Sequence, residues 1–211
     1  PLASSSAASD VYKRQPIWAE RVNDVPDTRD AETVRVIAQQ YAWNVHYPGP
    51  DGRFGATRID LVDEQDNPIG LDRSSEFAKD DFTTINQLHI PVNKKIRVDL
   101  SSKDVIHNFK LPELRVSQDA IPGMVIPVHF TATSTSEEFL KTAVGTKREG
   151  KGLEIACAQL CGLGHYRMKG YVTIHEEDDY QAWLDEQASY LEEEDGDDWG
   201  DDGDDWGDDD W

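Results

Sequence analysis

Apolar and polar residues alternate in short runs along most of this chain. Val34 and Val36 open an alternating stretch over residues 33–43, and side chains at every second position face one side of a strand. Residues 58–62 alternate again, with Ile59 and Leu61 separated by one polar residue. Further short runs cover 87–92, 95–100, 105–111, 125–133, 153–158 and 170–174. Turn-forming residues separate them, most densely at Tyr47-Pro48-Gly49-Pro50-Asp51-Gly52, and residues 66–81 are polar and loop-like. Many short strands at this spacing predict an all-β barrel or sandwich. The pattern changes once. Tyr180, Trp183, Leu184, Ala188 and Leu191 recur at spacings of three and four, which predicts an amphipathic helix over 177–194. Trp183 reads as its core anchor, and Asp178 and Asp179 suit its N-terminal end.

The ends of the chain lack a period. Residues 1–15 are rich in Ser and Ala, and the segment 1–30 is expected to be disordered and foreign to the domain. The domain proper is placed at 31–176, followed by the helix and an acidic tail at 195–211. That tail repeats Asp-Asp-Trp and offers too little apolar surface to fold alone, so it reads as a disordered solubilising segment. The formal net charge is −21. Thirteen of the 42 acidic residues lie in 192–211, which has no Lys or Arg, so the body keeps 29 acids against 21 bases. A mildly acidic body argues against nucleic acid as a partner and suits a basic protein. No stretch approaches the ~20 apolar residues of a membrane helix, and no secretory signal pattern is visible. The chain is expected to be a fragment cut after an upstream membrane anchor.

The chemistry concentrates in Cys157-Ala158-Gln159-Leu160-Cys161-Gly162-Leu163-Gly164-His165-Tyr166-Arg167-Met168. Two thiols, an imidazole and a thioether lie within this one segment. Soft sulfur ligands with imidazole select copper or zinc, and a thioether favours copper. A disulfide closing so short a loop would stabilise little and would leave His165 and Met168 unexplained. A zinc site of two Cys and two His would leave Met168 without a role. One thiolate is surplus for a mononuclear blue-copper site. Two thiolates can bridge two copper ions, and His107, in Val105-Ile106-His107-Asn108-Phe109, is the candidate for the second imidazole. His46, His89, His129 and His175 read as ordinary hydrogen-bonded or surface histidines.

The segment resembles the copper-A loop of cytochrome c oxidase subunit II, a family of cupredoxin-fold domains with Greek-key β-barrels. The likeness runs from about residue 34 to residue 184. It takes in the His107 strand, Asp119-Ala120-Ile121-Pro122-Gly123, Gln40-Tyr41-Ala42-Trp43 with Tyr47-Pro48, and Ala182-Trp183-Leu184. The resemblance implies that Cys157 and Cys161 bridge two copper ions. It implies that His107 and Met168 complete one ion, and that His165 and the Gln159 carbonyl complete the other. It also implies an electron-transfer role: cytochrome c or an equivalent donor supplies electrons, and haem in oxidase subunit I receives them. Two positions depart from the family. Gln159 stands where a Glu commonly helps hold magnesium, so a magnesium ion is doubtful here. Tyr41 stands where the aromatic that first accepts the electron is usually Trp, with Trp43 as the nearby alternative. Two other readings share the ligand loop: the copper-A domain of a nitrous-oxide reductase, and a stand-alone copper electron carrier.

Overall fold

The computed structural model describes residues 6–196. Ten strands form two five-stranded sheets. The strands are β1 (Glu32–Gln39), β2 (Ala42–Tyr47), β3 (Phe82–Ile85), β4 (Gln87–Pro91) and β5 (Lys95–Ser102). They continue with β6 (His107–Leu111), β7 (Val116–Ala120), β8 (Ile126–Thr131), β9 (Leu153–Cys157) and β10 (Lys169–His175). One sheet has the order β3-β2-β1-β5-β8 and the other β4-β10-β9-β6-β7. Two pairings, β1 with β5 and β4 with β10, are parallel.

Alternation builds the core. Along β5, Ile96, Val98, Leu100 and Ser102 face inward while the residues between them are less buried. Val34, Val36, Trp43, Val45 and Tyr47 add to that inner face, opposite Leu88, Ile90, Phe109, Leu111, Ile155 and Ile174 of the second sheet. The result is the predicted all-β sandwich, with helices α1 (Ser6–Trp18) and α2 (Ser136–Ala143) earlier in the chain and one C-terminal helix, α3 (Glu177–Gly196), closing it. Trp183 anchors α3, lying flat on His89 at 4.2 Å between centroids and edge-on to Tyr47 and Phe82 at 5.2 and 5.5 Å.

Several features differ from the sequence expectation, among them two strands that it lacks, β3 and β7. Residues 33–43 are not one strand: the chain turns back at Gln40–Tyr41, so β1 and β2 form a hairpin in which Gln39 pairs Ala42. Residues 58–62 are not a strand; Ile59–Leu61 form one 3-10 turn with Ile59 fully outside the core. Their alternation is a coincidence of a long excursion between β2 and β3, which has its own small core of Ile69, Leu71 and Ala78. A helix, α2 (Ser136–Ala143), went unread although Thr135 and Glu138 carry its capping box. Finally, residues before 31 are not irregular throughout. Ser6–Trp18 form helix α1, followed by a wider π-type turn over Ala19–Asn23. Helical hydrogen bonds are local and need no apolar period, and the turn buries no residue. The Asp-Asp-Trp tail lies outside the described residues. Among the described residues, no helix is long and apolar enough to cross a membrane.

Candidate metal centre

Three strand ends meet at one pole of the sandwich. β6 runs antiparallel to β9, with Phe109 opposite Cys157, and β9 runs antiparallel to β10, with Ala156 opposite Lys169. The first residue of β6, the last of β9 and the residue just before β10 therefore come together. These are His107, Cys157 and Met168. The β9–β10 connection carries the remaining candidates. It is closed by bonds from the Cys157 N–H to the Met168 carbonyl and from the Ala158 N–H to the Asn108 carbonyl. A 3-10 turn at His165–Arg167 folds its far end back. Gly162, at φ +135°, supplies a backbone conformation that a side chain rarely adopts.

All the side chains named as copper ligands converge. Cys157 Sγ lies 3.8 Å from His107 Nδ1, and Cys161 Sγ lies 3.6 Å from His165 Nδ1 and 3.8 Å from Met168 Sδ. The Gln159 carbonyl oxygen is 3.2 Å from Cys157 Sγ. The Gln159 side chain points into solvent and takes no part. His107, Cys161 and Met168 are buried, while Cys157 and His165 are partly exposed. The two sulfurs are 3.8 Å apart and unbonded, well beyond the ~2.05 Å of a disulfide. The donor chemistry fits a soft ion: two thiols at the centre, imidazole nitrogens on either hand and a buried thioether facing inward with no polar task of its own.

The electrostatics prepare the thiols unequally. Burial works against ionising Cys157, but hydrogen bonds from His107 and from the backbone at Asn108 and Gln159 bring it down to about 6. Burial and then the neighbouring Cys157 push Cys161 up to about 11. Burial opposes protonation of His107, yet Cys157 and Asp104 together raise it above its ordinary value. Asp104 Oδ1 sits 2.8 Å from His107 Nε2. A carboxylate on one ring nitrogen fixes the tautomer and leaves Nδ1 facing the sulfurs. The one sequence signal for Asp104 is its position three residues before His107.

The aromatic candidates separate. Tyr41 is half-buried and lies against the loop, where a Cβ on Gly164 would come within 2.5 Å of its ring. Trp43 is fully buried, edge-on to His107 at 6.2 Å and to Phe109 at 5.6 Å. Trp43 therefore cannot touch a partner directly, and of the two electron-entry candidates only Tyr41 reaches solvent. His46 pairs with buried Asp81 at 2.6 Å, and His89 meets His175 at 2.8 Å. His129, on β8, lies away from the cluster. Unread in the sequence are Leu160, Leu163 and Tyr166, exposed apolar side chains that crown the loop.

Comparison with known proteins identifies the family. A family model for the cytochrome c oxidase subunit II periplasmic domain matches residues 32–174. The alternative cytochrome c oxidase subunit 2 of Bradyrhizobium diazoefficiens is 36% identical over 175 residues, covering 82% of this chain and 56% of that protein. Subunit 2 of Cereibacter sphaeroides is 29% identical over 162 residues, covering 73% and 48%. The chain thus spans about half the length of these curated relatives. The crystal structure of the periplasmic domain of subunit II of cytochrome oxidase from Bradyrhizobium japonicum superposes with a TM-score of 0.51 at 27% identity, covering 79% of this chain and 99% of that one. Matched family, shared fold and the convergence of thiols, imidazoles and thioether lead to one assignment: this chain belongs to the cytochrome c oxidase subunit II family, of which it carries the periplasmic domain.

Proposed function

We propose that this domain is the electron-accepting copper-A domain of a haem–copper terminal oxidase. It takes single electrons from cytochrome c or an equivalent donor on the extracytoplasmic side and passes them to haem in subunit I. The observation that carries this reading is the pair of unbonded thiols at the centre of a converging donor set. Cys157 and Cys161 would bridge two copper ions, with His107 and Met168 completing one and His165 and the Gln159 carbonyl the other. Two bridged copper ions supply reversible one-electron transfer with little change of geometry. The chain's own residues do the rest. Asp104 orients His107, the β6–β9–β10 register fixes the ligand spacing, and buried Met168 and Trp43 keep water from the inner side.

The surface around the loop suits a brief encounter. Leu160, Leu163 and Tyr166, exposed within the ligand loop, offer an apolar contact, and the acidic body would attract a basic donor from a distance. Half-buried Tyr41 lies against the loop at Gly162 and Gly164, a place suited to a first acceptor. Gln159 offers a neutral, exposed side chain, so copper alone is proposed here and not magnesium. The match to the oxidase subunit family favours this reading over a nitrous-oxide reductase or a free carrier. The test is rapid mixing of the copper-loaded domain with a reduced, basic cytochrome c. Fast oxidation of the cytochrome that slows as salt rises is expected; a loaded domain that leaves the cytochrome reduced contradicts the proposal.

A further inference from the structure

One residue that is not a ligand is tied to both halves of the site. Gln40 sits at the turn between β1 and β2. Its backbone N–H donates to Asp104 Oδ2 at 2.6 Å, and the same carboxylate holds His107 through Oδ1. Its side-chain Nε2 donates to the Cys161 carbonyl at 2.5 Å. The first contact reaches the strand half of the site and the second reaches the loop half. From Gln159 to Gly164, this is the one hydrogen bond leaving the loop among the described residues. The loop's other bonds run between its own residues or tie down its two ends. The fit is close: a Cβ on Gly162 would come within 2.7 Å of Gln40 Nε2.

We propose that Gln40 is a positioning residue, a strap that sets where Cys161 and His165 stand relative to His107 before any metal arrives. It touches no ligand atom; it acts through the Cys161 carbonyl and through Asp104. Pre-setting the spacing would also limit how far the ligands shift when an electron comes or goes, which is what a transfer site requires. Gln40 is exposed, so replacing it opens no core cavity, and the domain has no packing reason to unfold. The inference rests on the metal-loop reading of residues 157–168. Its primary test uses the metal-free domain, so the two can fail separately.

Gln40→Met keeps the side chain's length and the backbone bond to Asp104 but removes the donor. Gln40→Glu places a carboxylate against the Cys161 carbonyl and should act in the same direction more strongly. The readout is amide hydrogen exchange in the metal-free domain at His165, Arg167 and Met168, whose N–H groups close the loop's own turns. A neutral hydrogen bond of ordinary net strength predicts exchange roughly three- to tenfold faster in Gln40→Met, with β5 amides unchanged. After copper loading, the Met variant should bind as much copper as the parent but show a shifted reduction potential. Unchanged loop exchange in both variants, or acceleration spread equally into β5, overturns the strap. Failure of the parent to bind copper sinks the metal-loop reading, and the exchange data then still judge the strap.

Discussion

Gly164 offers a clean test of how tightly Tyr41 seats the loop. A Cβ on Gly164 would lie 2.5, 2.6 and 2.7 Å from three carbons of the Tyr41 ring. Ordinary contacts between such atoms begin near 3.4 Å, so the ring or the loop must retreat by about 1 Å, an overpacking that costs about 1–3 kcal/mol. The backbone adds nothing to this cost. Gly164 sits at φ −90°, ψ 7°, where alanine is permitted. Alanine also restricts the unfolded chain, which returns about 0.4–1 kcal/mol. The net expectation for Gly164→Ala is a loss of about 1–2 kcal/mol, or a drop in Tm of roughly 2–8 °C for a domain this size. The assay is a double-mutant cycle by thermal or urea unfolding. In a Tyr41→Ala background the ring is gone, and Gly164→Ala should become neutral or slightly stabilising. An equal loss in both backgrounds would refute the reasoning, since it would place the clash elsewhere. Gly162 is the contrasting case. At φ +135° its alanine variant is strained by the backbone itself as well as by Tyr41 Oη and Gln40 Nε2, so removing the Tyr41 ring should rescue it only in part.

Other expectations follow from the same structure. Trp183→Ala removes the partly buried indole that joins α3 to His89, Tyr47 and Phe82 and should cost about 2–3 kcal/mol by urea unfolding; a loss below ~1 kcal/mol would show that α3 docks by other contacts. Burial, then the facing His175, depresses His89 to about 4. The unfolded chain, with His near 6.5, therefore binds a proton that the folded chain refuses, and stability falls as pH drops from 6.5 towards 4. Allowing for the solvent that reaches this half-open ring, the loss is about 1 kcal/mol, read as the pH-dependent difference between parent and His89→Gln; an equal pH dependence in the two would refute it. Met168→Leu should retain both copper ions while shifting the reduction potential, since a thioether is a weak ligand; total loss of copper would show that the thioether holds the site together.

The chemistry was more legible in the sequence than the framework that positions it. Cys157, Cys161, His165 and Met168 announce themselves by type and spacing, because few donor sets combine thiols, imidazole and thioether. His107 was legible only as a candidate in a strand-like run, since its nearness depends on the β6–β9 register and not on sequence distance. The strands around Val98 and Ile174 were readable because each buries one face. The strand at Phe82–Ile85 was not, because its four residues are too short to show a period. Ile59 misled because alternation in an excursion looks like alternation in a strand. Gln40 carried no signal at all: its contacts join residues 64 and 121 positions away, and only the folded hairpin brings its amide to Asp104 and Cys161.

The central claim is that two thiolates bridge two copper ions in this domain. Copper counting together with electron paramagnetic resonance of the loaded, oxidised protein tests it most directly. The account predicts two copper ions per chain and a hyperfine pattern from one unpaired electron shared between both nuclei, lost in Cys157→Ser and in Cys161→Ser. One copper per chain, or a spectrum split by a single copper nucleus, would contradict it.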